Sequence, residues 1–124
     1  MGKKIFLVED NPDNADLLVD LLEDEYEIEW HPDPLKALKA LTDYQSKLPD
    51  IFLLDISLPK MEGTTLLKRI RDLPLVGQIP AIALTAHAMK SDRESFIQIG
   101  FNGYLSKPIV DLAQLTGLIE ELTK

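Results

Sequence analysis

The 124-residue sequence has no cysteine, which excludes a disulfide framework and any thiolate metal site. No apolar stretch approaches the length of a membrane span. The opening Met1-Gly2-Lys3-Lys4-Ile5-Phe6 enters a strand-like run at once, so the apolar middle of a signal peptide is missing. Phe6 stands where N-myristoylation asks for serine or threonine. Basic residues are in deficit: 13 Lys and Arg face 21 Asp and Glu, for a net charge of −8. Such a surface repels a phosphate backbone, which argues against direct nucleic-acid binding. These absences lead us to expect a cytoplasmic protein that touches neither membrane nor nucleic acid. The acidity suits a divalent-cation site, although acidic surfaces also serve solubility alone.

What remains is ordinary globular material, 45% hydrophobic and 27% charged. The length allows one substantial core, and there is no internal repeat, low-complexity tract or linker. Residues 1–124 read as a single domain.

Strand-like and helical patterns alternate five times. Ile5-Phe6-Leu7-Val8 is the first strand. Asn11-Pro12 then starts a helix, with Asn11 as N-cap, proline at the first helical position, and Ala15, Leu18, Val19 and Leu22 on one face. Leu17 and Leu21 widen that stripe, as core or as a surface for a partner helix. Glu27-Ile28-Glu29-Trp30 alternates as a half-open edge strand would. Asp33-Pro34 repeats the cap, followed by Leu35, Leu38 and Leu41 with Ala37 and Ala40.

Ile51-Phe52-Leu53-Leu54, entered through Pro49-Asp50, reads as a strand buried on both faces that ends at Asp55. After Gly63, Leu66, Leu67 and Ile70 point inward and Lys68, Arg69 and Arg71 outward, in a helix that stops before Pro74. Pro80 to Leu84 is the fourth strand, ending at Thr85. Ser91-Asp92-Arg93-Glu94 fits a capping box for a helix running to Gly100. Gly103 to Ser106 is the fifth strand, and Leu112, Leu115, Leu118, Ile119 and Leu122 make the last helix. Such alternation predicts a parallel sheet covered by helices on both faces.

Ligands of open parallel sheets bind at the carboxyl ends of the strands. Here those ends carry Glu9-Asp10, Asp55, Thr85 and Lys107. Each alone is unremarkable, as acids ahead of a helix N-terminus or a solvated lysine would be. On one rim they converge. Three crowded carboxylates repel one another unless a cation joins them. A hard oxygen site with room for water suits Mg²⁺, which completes its shell with phosphoryl oxygens. A hydroxyl and an ammonium beside it would contact the same oxygens. The residues thus point to an aspartate that accepts a phosphoryl group beside a metal.

At this point the sequence resembles the receiver domains of two-component response regulators. The resemblance rests on Phe6-Leu7-Val8-Glu9-Asp10-Asn11, Asp55-Ile56-Ser57-Leu58-Pro59-Lys60-Met61-Glu62-Gly63, Ala83-Leu84-Thr85-Ala86 and Ser106-Lys107-Pro108. It implies a flavodoxin-like (βα)5 three-layer sandwich with strand order 2-1-3-4-5. It makes Asp55 the phosphoacceptor, with Mg²⁺ (or Mn²⁺) held by the side chains of Asp10 and Asp55, the backbone carbonyl of Ser57 and, through water, Glu9. Lys107 would bridge to the phosphoryl group, and the Thr85 hydroxyl and Ala86 N–H would bond it. A cis peptide is expected at Lys107-Pro108.

The resemblance further implies that Thr85 and Tyr104 form a switch, the ring entering space that Thr85 vacates; a half-exposed strand tyrosine is the plainer reading. His87 could tune the dephosphorylation rate or simply be a solvated loop residue. The implied partners are a histidine kinase or histidine phosphotransfer protein as donor, sitting by the first helix. A downstream protein target or output domain would read the fifth strand and last two helices. The expected activity is confined to the protein's own phosphorylation and dephosphorylation. Two alternatives stand beside it. One is an adaptor that binds partners without phosphorylation. The other is a Mg²⁺-dependent aspartyl-phosphate hydrolase of the haloacid-dehalogenase type, which usually wants a second carboxylate where this chain has Ser57.

Overall fold

The computed structural model describes residues 2–43, 47–86, 90–107, 109 and 111–124, and the backbone alone for 90–93. Its elements alternate as β1 (Lys4–Val8), α1 (Pro12–Leu22), β2 (Glu27–His31), α2 (Pro34–Thr42), β3 (Ile51–Asp55), α3 (Gly63–Arg71), β4 (Ala81–Thr85), α4 (Lys90–Ile99), β5 (Gly103–Ser106) and α5 (Leu112–Leu122). The strands form one parallel sheet in the order β2-β1-β3-β4-β5. This is the expected flavodoxin-like architecture.

The period of two along each strand divides the core. Phe6, Val8, Phe52, Leu54, Ala81 and Ala83 face α2, α3 and α4, where Ala37, Leu41, Leu66, Leu67, Ile70 and Phe96 complete one cluster. Ile5, Leu7, Ile51, Leu53, Ile82 and Leu84 face α1 and α5, against Ala15, Leu18, Leu22, Leu115 and Ile119. β1, β3 and β4 are buried over their whole length, which is why they read as unbroken apolar runs. β2 lies at an edge, but the expected alternation is not kept: Ile28, Glu29 and His31 are half-buried, while Glu27 and Trp30 are exposed.

Among the described residues, side chains cap α1, α2 and α5. Asn11 accepts from the N–H groups of Asp13 and Asn14, Asp33 from Leu35 and Lys36, and Asp111 from Gln114. Pro12 and Pro34 occupy first-turn positions where the missing N–H costs nothing. Gly100 closes α4 at φ 126°, in the left-handed region expected after a helix.

Three further expectations change, on the start of α4, on Leu35 and Leu112, and on Arg71. α4 begins at Lys90, so Ser91 lies inside the helix instead of capping it. Leu35 is 46% exposed because the buried stripe of α2 runs through Pro34, Ala37 and Leu41 and leaves it to one side, and Leu112 is 40% exposed because α5 is buried only from Leu115 on. Leu17 is likewise exposed, whereas Leu21 packs partly against the core. Arg71 turns inward instead of outward. Its guanidinium donates to the carbonyls of Gly77, Ile79 and Gly100 and to Asn102 Oδ1, and Asn102 Oδ1 also accepts from the Ala81 N–H. One side chain thus ties the end of α3 to the start of β4 and the turn before β5. Among the described residues no helix is long and apolar enough to cross a membrane.

Candidate functional site

Strand register brings the predicted residues to one rim. Val8 pairs with Leu54, Asp55 with Leu84, and Thr85 with Ser106, so Glu9, Asp55, Thr85 and Lys107 stand at successive strand ends. The ladder continues one step past the strands: the Ile56 N–H donates to the Leu84 carbonyl at 2.9 Å and the Lys107 N–H to the Thr85 carbonyl at 2.8 Å. The backbone therefore holds these residues with the stiffness of the sheet.

Lys107 Nζ lies 3.0 Å from Asp55 Oδ2 and 3.1 Å from Glu9 Oε1. The other Asp55 oxygen, Oδ1, accepts from the Ser57 N–H at 3.0 Å. Asp55 is 2% exposed and Glu9 is fully buried. Burial, followed by the proximity of Asp55, pushes the Glu9 carboxyl up to about 7 against the pull of Lys107. Burial alone would lower the Lys107 ammonium. The hydrogen bond and charge of Asp55, joined by those of Glu9, outweigh it and hold the ammonium above its ordinary value.

One ammonium does not balance three carboxylates. Glu9, Asp10 and Asp55 each bring an oxygen within 4.8 Å of the others. Glu9 Oε2 is buried and has no hydrogen-bond partner among the described residues. An orphaned carboxylate oxygen in a tight acidic cluster is costly as it stands and is well used by a hard cation. The donor set, all oxygen with one exposed member, fits Mg²⁺ with room for water.

The β3–α3 loop is drawn close beneath Asp55. A Cβ on Gly63 would lie 2.1 Å from the Asp55 carbonyl oxygen, and the Gly63 N–H donates to the Ile56 carbonyl at 2.9 Å. Only glycine allows that approach. Lys60 takes φ 66° in the same loop, and its ammonium reaches Asp33 Oδ2, the cap of α2, at 3.2 Å.

Thr85 is buried, and Ala86 follows it exposed at the strand end. Ser57 is exposed beside Asp55. Tyr104 pairs with Ala83, two residues before Ser106 on β5, and its half-buried ring packs on the core beneath α4. His87 and the Lys107-Pro108 peptide lie outside the described residues.

Sequence pattern does not reveal the part played by Trp30. Its indole N–H donates to the Glu9 carbonyl at 2.8 Å, and the Glu9 N–H donates to the His31 carbonyl at 3.2 Å. The His31 ring stacks on Phe6 with centroids 4.7 Å apart. The end of β2 thus grips the acidic turn from the side. The only signal in the sequence is a tryptophan on an edge strand, and that alone names no bonding partner.

Comparison with known proteins agrees with this geometry. A family model described as the response regulator receiver domain matches residues 5–120. A 14.6 kDa protein of Leptolyngbya boryana is 42% identical over 118 residues, covering 94% of this chain and 87% of the relative. The polar-differentiation response regulator DivK of Brucella anthropi is 40% identical over 110 residues, covering 88% and 87%. Among solved structures, the receiver domain of a Pseudomonas aeruginosa sensor histidine kinase, with magnesium coordinated in its active-site cleft, superposes with a TM-score of 0.86. It is 32% identical and covers 99% of this chain and 98% of its own. Matched by the family model over nearly its whole length and folded like the solved receivers, this chain belongs to the receiver domains of two-component signalling.

Proposed function

We propose that the chain is a phosphorylation-dependent switch whose Asp55 accepts a phosphoryl group from a phosphohistidine of a histidine kinase or histidine phosphotransfer protein. The observation that carries this reading is the buried pair Lys107–Asp55 beside the unpartnered Glu9 oxygen. An Asp55 oxygen attacks phosphorus, the phosphorus–nitrogen bond breaks, and the imidazole nitrogen leaves with the electron pair and takes a proton from water. Lys107 neutralises charge on the transferred oxygens, while the Thr85 hydroxyl and Ala86 N–H bond them after arrival. The side chains of Asp10 and Asp55, the Ser57 carbonyl and, through water, Glu9 would hold Mg²⁺ (or Mn²⁺), which supplies the positive charge that lets phosphate approach an acidic site.

The product carries roughly −1.5 to −2 extra charge. Drawing Thr85 towards it opens space beside β4 for the Tyr104 ring, which shifts the surface of α4, β5 and α5 that a downstream target or output domain reads. The chain catalyses only its own phosphorylation and dephosphorylation, and we place it in the cytoplasm with its donor. Incubation with a phosphohistidine donor should yield a hydroxylamine-labile adduct mapping to Asp55. A stable adduct, or one on another residue, would contradict the assignment.

A further inference from the structure

Glu9 is held from β2 at both of its backbone groups. Its N–H donates to the His31 carbonyl at 3.2 Å, and its carbonyl accepts from the Trp30 indole at 2.8 Å. The first is an ordinary continuation of the β1–β2 ladder, in which Val8 pairs with His31. The second is a side-chain bond that the sheet does not require. Trp30 is 36% exposed, a partly covered ring whose N–H makes this bond.

The consequence follows from peptide planarity. The Glu9 carbonyl and the Asp10 N–H share one rigid plane. A donor that fixes the carbonyl fixes the direction in which the chain leaves towards Asp10. The Glu9 carboxylate is buried against Lys107 and Asp55, while Asp10 is exposed and has no side-chain hydrogen bond or ion pair among the described residues. Orientation of Asp10 therefore depends on the backbone that precedes it. His31 stacked on Phe6 braces the strand end from which the indole reaches.

We propose that Trp30 is a positioning residue of the cation site: its indole N–H locks the Glu9–Asp10 peptide so that both carboxylates face Asp55. The inference rests on the reading of this cluster as a Mg²⁺ site. Its distinguishing effect is on affinity for the cation, beyond the ordinary stability of one hydrogen bond.

Two measurements test it. Trp30→Phe keeps an aromatic ring on the edge strand while removing the indole N–H along with part of the ring. Mg²⁺ titrated calorimetrically should bind this variant roughly three- to tenfold more weakly, the size of one neutral hydrogen bond. The metal-free far-ultraviolet circular dichroism should match wild type, and the variant should stay fully folded at the titration temperature even if its melting temperature falls by a few degrees. Equal Mg²⁺ affinity, or a loss explained by metal-free unfolding, would overturn the proposal.

The second needs no variant. Trp30 is the single tryptophan, so the wild-type protein gives one indole N–H resonance in nuclear magnetic resonance. That resonance should shift along the same Mg²⁺ binding curve as the Asp10 and Ile56 amides. An indole signal that stays still while those amides move would refute the role of Trp30 and leave the cation site standing. No Mg²⁺ response anywhere in wild type would refute the site itself, and this inference with it.

Discussion

Lys107 reaches across the rim to Asp55, with Nζ 3.0 Å from Oδ2, and the same ammonium contacts Glu9 at 3.1 Å. It is the only cation paired with this acidic cluster among the described residues. It therefore has a structural duty and a chemical one. Lys107→Met should abolish phosphoryl transfer to Asp55 while leaving two buried carboxylates without their counter-ion. Loss of one partner of a buried ion pair costs roughly 3 kcal/mol. Urea unfolding without metal should show a loss of that order at alkaline pH. The loss should shrink in acid, where Glu9 takes a proton. A loss that does not vary with pH would place the destabilisation elsewhere.

Glu9 sets the pH dependence of the cation site. Its folded value, about 7, lies above the ordinary 4.5. The folded protein thus binds the proton more tightly, so this group's contribution is fully present below about 4.5 and is lost as pH rises through 7. Mg²⁺ competes with that proton. Its affinity should climb as pH rises through about 7 and level off above it. Melting temperatures with and without Mg²⁺ should diverge on the alkaline side and converge in acid. A metal-induced rise that is the same on both sides would show that Glu9 is ionised throughout.

Gly63 fixes how closely α3 approaches the acceptor strand. A Cβ placed 2.1 Å from the Asp55 carbonyl oxygen must displace the backbone on which the acceptor sits. Gly63→Ala should cost about 1–3 kcal/mol as an overpacked contact and should weaken Mg²⁺ binding as well. Denaturant melts and Mg²⁺ titration of the same variant check both parts. A protein as stable and as metal-avid as wild type would mean that the loop has room the structure does not show.

The fold was legible because its signals are redundant. Four-residue apolar runs, paired cap-and-proline starts and strand-end acids all favour one topology, and β3 with Asp55 needed no further information. The rim was legible for the same reason, since chain order and a parallel sheet suffice to bring Glu9, Asp10, Asp55, Thr85 and Lys107 together. What stayed hidden depends on three-dimensional reach. Arg71 has the spacing of a solvent-facing residue, yet its long side chain folds back onto carbonyls of two later segments. Trp30 lies 21 positions from the carbonyl it bonds, and nothing local marks that partner. Leu35 and Leu112 look like core by period alone, but Pro34 takes the buried place in the first turn of α2, and α5 is buried only from Leu115 on.

The central claim is that Asp55 becomes an acyl phosphate with the help of a cation. Its most direct test is intact mass after incubation with acetyl phosphate, with and without Mg²⁺, on wild type and on Asp55→Asn. We predict one added phosphoryl group on wild type with Mg²⁺, and none without the metal or in the variant. A folded, Mg²⁺-loaded wild type that takes up no phosphoryl group from any of several donors, or an Asp55→Asn protein that still does, would contradict the account.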